Sequence, residues 1–169
     1  MKICIVGLGY VGLPAACVLA QAGHEVVGVE IRSEVVEGLN QGRIHIDEPG
    51  LHDLLQEALD HGRFRAQTAP EAAEAFILCV PIPFQTGYQP DLSYVEAAAR
   101  SVLPVLKEGD LLVVDSTIPV GATEEVAALI RTALPELTQE ALDVAHCPER
   151  VLPGNAIREI IYKDRGVGG

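Results

Sequence analysis

The sequence predicts an α/β fold, a doubly wound and mostly parallel six-stranded sheet between two layers of helices, on three observations. Short β-branched runs alternate with longer alanine-rich stretches, the pattern of successive βαβ units. Several runs are apolar at consecutive positions, as strands buried on both faces must be. A glycine-rich turn, GLGYVG, joins the first run to the first helical stretch. A chain of 169 residues, 49% of them hydrophobic, suits one domain with a sizeable core.

Taken in order, the predicted strands are KICIVG (2–7), EVVGVE (25–30), FRAQ (64–67), AFILCV (75–80), DLLVVD (110–115) and LDVAHC (142–147). The first helix lies within YVGLPAACVLAQAG and is expected to stop at Gly23; the second, in SEVVEGLNQG, starts on Ser33 as a capping serine and stops at Gly42. Apolar residues at 51, 54, 55, 58 and 59 give EPGLHDLLQEALDHG a helical stripe. In SYVEAAARSVLPVL, Ser93 and Glu96 stand at capping-box spacing, and Pro104 must end or kink the helix. GATEEVAALIRTAL supplies a fifth helix, while the closing AIREIIYKDRGVGG fits no further strand and helix pair. Residues 1–155 are therefore expected to form the domain, and 156–169 to lead into another segment.

The 24 acidic and 12 basic side chains leave a net charge of -12, which opposes binding to nucleic acid or to an anionic membrane through a general basic field. No apolar run approaches the roughly 20 residues that span a bilayer, so a cytoplasmic protein is expected. Cys4, Cys17, Cys79 and Cys147 never approach CxxC spacing, and the five histidines are scattered, so neither a metal site nor a disulfide framework is expected.

Gly7, Gly9 and Gly12 have GxGxxG spacing directly after the first strand and at the opening of the first helix. In that setting Gly7 permits the tight turn, Gly9 lets a pyrophosphate approach the backbone and Gly12 lets helix and strand pack closely. The amides of Tyr10 and Val11 would then meet the phosphate charge. Glu30 ends the second strand, placed to accept hydrogen bonds from the adenosine ribose and to repel the extra phosphate of NADP. The fold is thus of the Rossmann type and the predicted cofactor is NAD.

Ligands of such sheets lie beyond the carboxyl ends of the strands. Three loops converge there: VPIPFQTGYQP with Ile82, DSTIPVGAT with Thr117 and Thr123, and HCPERVLPGN with Glu149, Arg150 and Val151. Asp115 and Ser116 suit either a turn cap or a site role. Cys147, at the end of an apolar strand and before a proline, is expected to be a packing residue rather than a nucleophile.

Taken together, GLGYVGLP, GRIHIDEPGL, VPIPF, QPDLSYVEAAARSVLPVLKEG, DSTIPVGAT and CPERVLPGN resemble the amino-terminal domain of the UDP-glucose/GDP-mannose dehydrogenase family. Its IHI, VPxPF and PERVLPG forms look most like members that act on UDP-N-acetyl-D-mannosamine. The resemblance implies oxidation of the C6 hydroxyl of a UDP-sugar to a carboxylate in two hydride transfers to NAD, through a thioester on an active-site cysteine that is then hydrolysed. It implies cofactor contacts at Tyr10, Val11, Glu30, Thr117 and Thr123, a hydrolytic carboxylate at Glu149 assisted through a water by Thr117, and substrate contacts at Arg150 and Val151. Ile82 stands where the family usually has a threonine, which removes a hydroxyl from the cofactor. The family's catalytic cysteine and lysine lie in a later region, so this chain alone is expected to be inactive. The resemblance further implies a homodimeric or larger parent enzyme, with this part monomeric. Oxidation of UDP-glucose or UDP-N-acetylglucosamine is the neighbouring alternative. A non-catalytic NAD-sensing module explains the glycines and Glu30 but not Thr117, Glu149 and Arg150.

Overall fold

The computed structural model describes residues 1–169. Strands β1 (Lys2–Val6), β2 (Glu25–Val29), β3 (Phe64–Gln67), β4 (Ala75–Leu78), β5 (Leu111–Val114) and β6 (Asp143–His146) form one sheet, ordered β3-β2-β1-β4-β5-β6. Every pairing between named strands is parallel, so the sheet is wholly rather than mostly parallel. Strand order reverses between β1 and β4, and that switch point leaves a crevice at the carboxyl ends of the strands.

Helices α1 (Gly12–Gln21), α2 (Ser33–Asn40) and α3 (Leu51–Asp60) cover one face, and α4 (Ser93–Val102) and α5 (Ala122–Ala133) the other. Alternation along β1 divides the core: Ile3 and Ile5 pack with Leu13, Leu39, Leu51 and Leu55, whereas Cys4 and Val6 pack with Val95, Val102, Val126 and Ile130. Phe76 and Leu78 of β4 extend the second cluster. No helix is long and apolar enough to cross a membrane.

Gly23 and Gly42 close α1 and α2 with left-handed backbone (φ 97° and 77°), as expected of C-terminal glycines. Pro104 falls in a single 3₁₀ turn, Leu103–Val105, immediately after α4. The expected serine caps do not form. Neither Ser33 nor Ser93 is the capping residue of its helix; the side chain of Asp91 accepts the Ser93 amide instead, at 3.0 Å. A carboxylate two residues upstream reaches that orphan amide, leaving the serine inside the first turn.

The closing segment is more structured than its sequence suggests. Residues Ala156–Tyr162 form helix α6, which packs on α1 and places Ile157 and Ile160 against the first core cluster. Beyond it, Gly168 pairs antiparallel with His146, giving β6 an outer partner. A helix of about two turns and one bridge lie below the length at which apolar periodicity is legible.

Candidate functional site

A cavity of about 1120 Å³ opens over the carboxyl ends of β1, β2, β4 and β5. Lateral hydrogen bonds continue past the strand ends and fix the loops around it. The Gly7 amide donates to the Val29 carbonyl (2.9 Å), Cys79 to Val6 (2.8 Å), Asp115 to Leu78 (3.0 Å), Cys147 to Val114 (3.0 Å) and Glu149 to Asp115 (2.9 Å).

The glycines have three separate functions. Gly7 has φ 97°, and a Cβ there would lie 2.3 Å from the Cys79 carbonyl oxygen. At Gly12 a Cβ would lie 1.9 Å from the Gly7 oxygen and 3.0 Å from the Cys79 Cβ, so this glycine permits the close passage of α1 over β1 and β4. Gly9 meets nothing within 4 Å, so its missing side chain leaves space in the cavity rather than room for the protein. Helix α1 has no side-chain cap, and the amides of Tyr10 and Val11 donate to no backbone carbonyl. Free amides at a helix start beside open space form an anion site.

Glu30 lines the same cavity beyond β2 and is only 9% exposed. Its Oε1 accepts hydrogen bonds from the Arg32 amide (3.2 Å) and Arg32 Nε (3.1 Å). Burial pushes the carboxyl up, but the Arg32 hydrogen bonds and charge outweigh it and hold Glu30 below its ordinary range. The imidazole of His45 is held below its ordinary value by burial and then by Arg32, so it is neutral at pH 7.

On the far side, Ile82, Thr117 and Glu149 line the cavity. Glu149 Oε2 accepts the Val151 amide at 2.8 Å, which fixes the carboxylate against its own turn. Ser116 is a clamp rather than a free hydroxyl: it is buried, donates to the Val80 carbonyl (2.6 Å) and accepts the Val80 amide (3.1 Å), tying the β4 and β5 loops together. Thr123 is half-buried in the first turn of α5 and does not line the cavity. Arg150 and Val151 also stand outside it, against Glu159 and Lys163.

Cys147 is half-buried, and burial pushes its thiol up despite a nearby guanidinium. That cation is Arg165 rather than Arg150, and it also pairs with the buried carboxylate of Asp115. Cys79 donates to Asp115 at 3.5 Å and is raised well above the ordinary thiol range, by burial first and then by that carboxylate. Cys4 and Cys17 are buried and pushed up to about 11 and about 12 by desolvation. No thiol of this chain stands in the electropositive, accessible setting of a nucleophile.

Residues 1–169 match the NAD binding domain of the UDP-glucose/GDP-mannose dehydrogenase family. The chain belongs to that family. Among curated relatives, an NDP-N-acetyl-D-galactosaminuronic acid dehydrogenase of Ralstonia nicotianae is 52% identical over 99% of this chain and 41% of its own length. A UDP-N-acetyl-D-mannosamine dehydrogenase of Yersinia pestis is 45% identical over the same shares. Among solved structures, the UDP-D-ManNAc dehydrogenase of Pyrococcus horikoshii superposes with a TM-score of 0.96 at 41% identity, covering 100% of this chain and 41% of that one. The chain spans about two fifths of the length of these relatives.

The cofactor of this family domain is NAD, and the residues fit it. The open space at Gly9 and the free amides beside it would hold the pyrophosphate, and the buried carboxylate of Glu30 would take the ribose hydroxyls. NAD, when bound, supplies a hydride acceptor.

Proposed function

We propose that this chain is the cofactor half of a nucleotide-sugar 6-dehydrogenase that oxidises UDP-N-acetyl-D-mannosamine at C6. Four electrons leave the alcohol as two hydrides, and one water is consumed as the carboxylate forms. The observation that carries this reading is the shared cavity: Glu149 and Thr117 face the same space as the glycine turn and Glu30. A cofactor-sensing module has no use for a carboxylate fixed at the far end of its dinucleotide site.

In this reading the amides of Tyr10 and Val11 bind the pyrophosphate, and Glu30 takes the ribose hydroxyls and excludes a 2′-phosphate. Ile82 offers an apolar surface to the ring where the family usually has a hydroxyl. Thr117 orients a water, and Glu149 accepts its proton as the water attacks the thioester carbon. Arg150 and Val151 stand outside the dinucleotide cavity, on the side where the sugar nucleotide would lie against a companion region carrying the cysteine. Thr123, in the first turn of α5 and outside the cavity, is given no cofactor contact in this reading.

A second reading is favoured by the higher identity to the galactosaminuronic acid dehydrogenase, 52% against 45%. In that case the sugar has the galacto configuration. NADH formation by the whole enzyme with UDP-N-acetylmannosamine, UDP-N-acetylgalactosamine, UDP-N-acetylglucosamine and UDP-glucose separates the readings. The highest kcat/KM is expected with the manno sugar; a galacto preference establishes the second reading. The isolated chain is expected to bind NAD and form no NADH with any of them, and turnover by residues 1–169 alone would refute the division of roles.

A further inference from the structure

The loop that carries Glu149 has two hydrogen bonds of its own, from the Val151 amide to the Glu149 carboxylate and from the Asn155 amide to the Leu152 carbonyl. Pro148 and Pro153 have no amide to donate, and residues 152–155 are exposed. Its two ends are nevertheless tied down by charged side chains from distant parts of the chain.

At the start of the loop, Arg165 Nη2 donates to the Cys147 carbonyl (2.8 Å) and pairs with the Asp115 carboxylate. The backbone of Asp115 is the partner of the Glu149 amide. One guanidinium therefore fixes both the residue two before Glu149 and the residue to which Glu149 is hydrogen-bonded. Arg165 is itself held in place, because Gly168 exchanges both backbone hydrogen bonds with His146 (2.6 and 3.0 Å).

At the end of the loop, the carboxylate of Glu48 is only 4% exposed and uses both oxygens. It accepts the Gly154 and Ala156 amides, each at 2.7 Å, across 106 and 108 residues of sequence. The middle is held by more exposed groups: Lys163 Nζ on the Arg150 carbonyl (2.9 Å) and Glu159 on the Leu152 amide (2.7 Å).

We infer that Arg165 and Glu48 are positioning residues that hold the two ends of the Cys147–Asn155 loop so that the Glu149 carboxylate faces the cofactor cavity. The inference rests on the role proposed for Glu149. Neither side chain lines the cavity, so neither touches the dinucleotide. A loop released at either end lets the carboxylate drift, and a displacement near 1 Å costs about 100-fold in rate.

The test uses Arg165→Met, Arg165→Lys, Glu48→Gln and, as control, Lys163→Met. Amide exchange at Glu149 and Val151 and NAD affinity are measured on the chain, kcat and KM on the whole enzyme. Arg165→Met and Glu48→Gln are expected to speed exchange at both amides by about tenfold or more. They should lower kcat by about 10- to 100-fold while leaving NAD affinity within about twofold. Arg165→Lys keeps a cation beside Asp115, but its ammonium ends a shorter side chain than the Nη2 that makes both contacts, so it recovers part of the loss. Lys163→Met should change neither quantity by more than about threefold. Unchanged exchange, or NAD affinity falling in step with kcat, would overturn the inference. Should Arg165→Met fail to fold, Arg165→Lys and Glu48→Gln decide by the same readings. Glu149→Gln reports separately: undiminished kcat there removes the proposed base, while loop exchange in the other variants still decides whether the loop is held from these ends.

Discussion

Gly9 and Gly12 lie three residues apart in one motif, yet alanine at each should fail differently. At Gly12 the new Cβ would sit 1.9 Å from the Gly7 carbonyl oxygen, and the backbone there has no room to give because Gly7 is itself against Cys79. Overpacking of this kind costs about 3 kcal/mol, the upper end for a single added carbon in a packed core. For a domain of this size each kcal/mol lowers the melting temperature by about 2–4 °C. Gly12→Ala should therefore melt roughly 6–12 °C early. At Gly9 the Cβ meets nothing within 4 Å, and stability should stay within about 0.5 kcal/mol. That Cβ instead enters the space the pyrophosphate needs, so NAD affinity should fall by about tenfold or more, at least ~1.4 kcal/mol. Thermal unfolding by circular dichroism and calorimetric titration with NAD give both numbers. A Gly9→Ala variant that melts as early as Gly12→Ala, or that binds NAD like the unmodified chain, would refute the division between packing and ligand space.

Other perturbations follow from the same geometry. Glu30→Gln removes the charge facing the ribose, so the ratio of NADP to NAD affinity should rise by about tenfold or more in competition titrations. The same substitution tests linkage: the Glu30 carboxyl titrates below its usual 4.5, so its stabilisation is fully present above that pH and is lost as pH falls through the lower folded value. Urea unfolding of the two proteins across pH 2–7 should therefore converge only at the acid end. Ser116→Ala takes the hydroxyl partner from the half-buried Val80 amide and carbonyl, at about 1 kcal/mol in the same unfolding experiment.

The sheet was legible because most strands are short apolar or β-branched runs between turn residues; β1, β2 and β3 lie within the predicted runs 2–7, 25–30 and 64–67. The glycine turn and Glu30 were legible for the same reason, since both sit at fixed offsets from strand ends. Helix caps were less so: Ser93 carries the right chemistry, but the Glu96 amide that its hydroxyl would take is bonded to the Leu92 carbonyl, and Asp91 accepts the Ser93 amide. The ties around Glu149 were not legible at all. Glu48 reads as one acid among 24, and only folding brings it to an amide 106 residues away. Arg165 lies in a segment with no periodicity, and its partners Asp115 and Cys147 belong to two different strand ends. Cys147 follows β6 directly and is half-buried, with burial as the dominant influence on its thiol.

In the proposed division of roles this chain contributes the cofactor site and the hydrolytic base, and a companion region contributes the sulfur nucleophile. The most direct measurement is a rapid-mixing assay of NADH in the whole enzyme bearing Glu149→Gln, set beside Cys147→Ser. Glu149→Gln should release about two NADH per site and then stall on the unhydrolysed thioester, while Cys147→Ser should turn over steadily. Steady turnover by Glu149→Gln together with a dead Cys147→Ser would contradict it and restore Cys147 as the nucleophile.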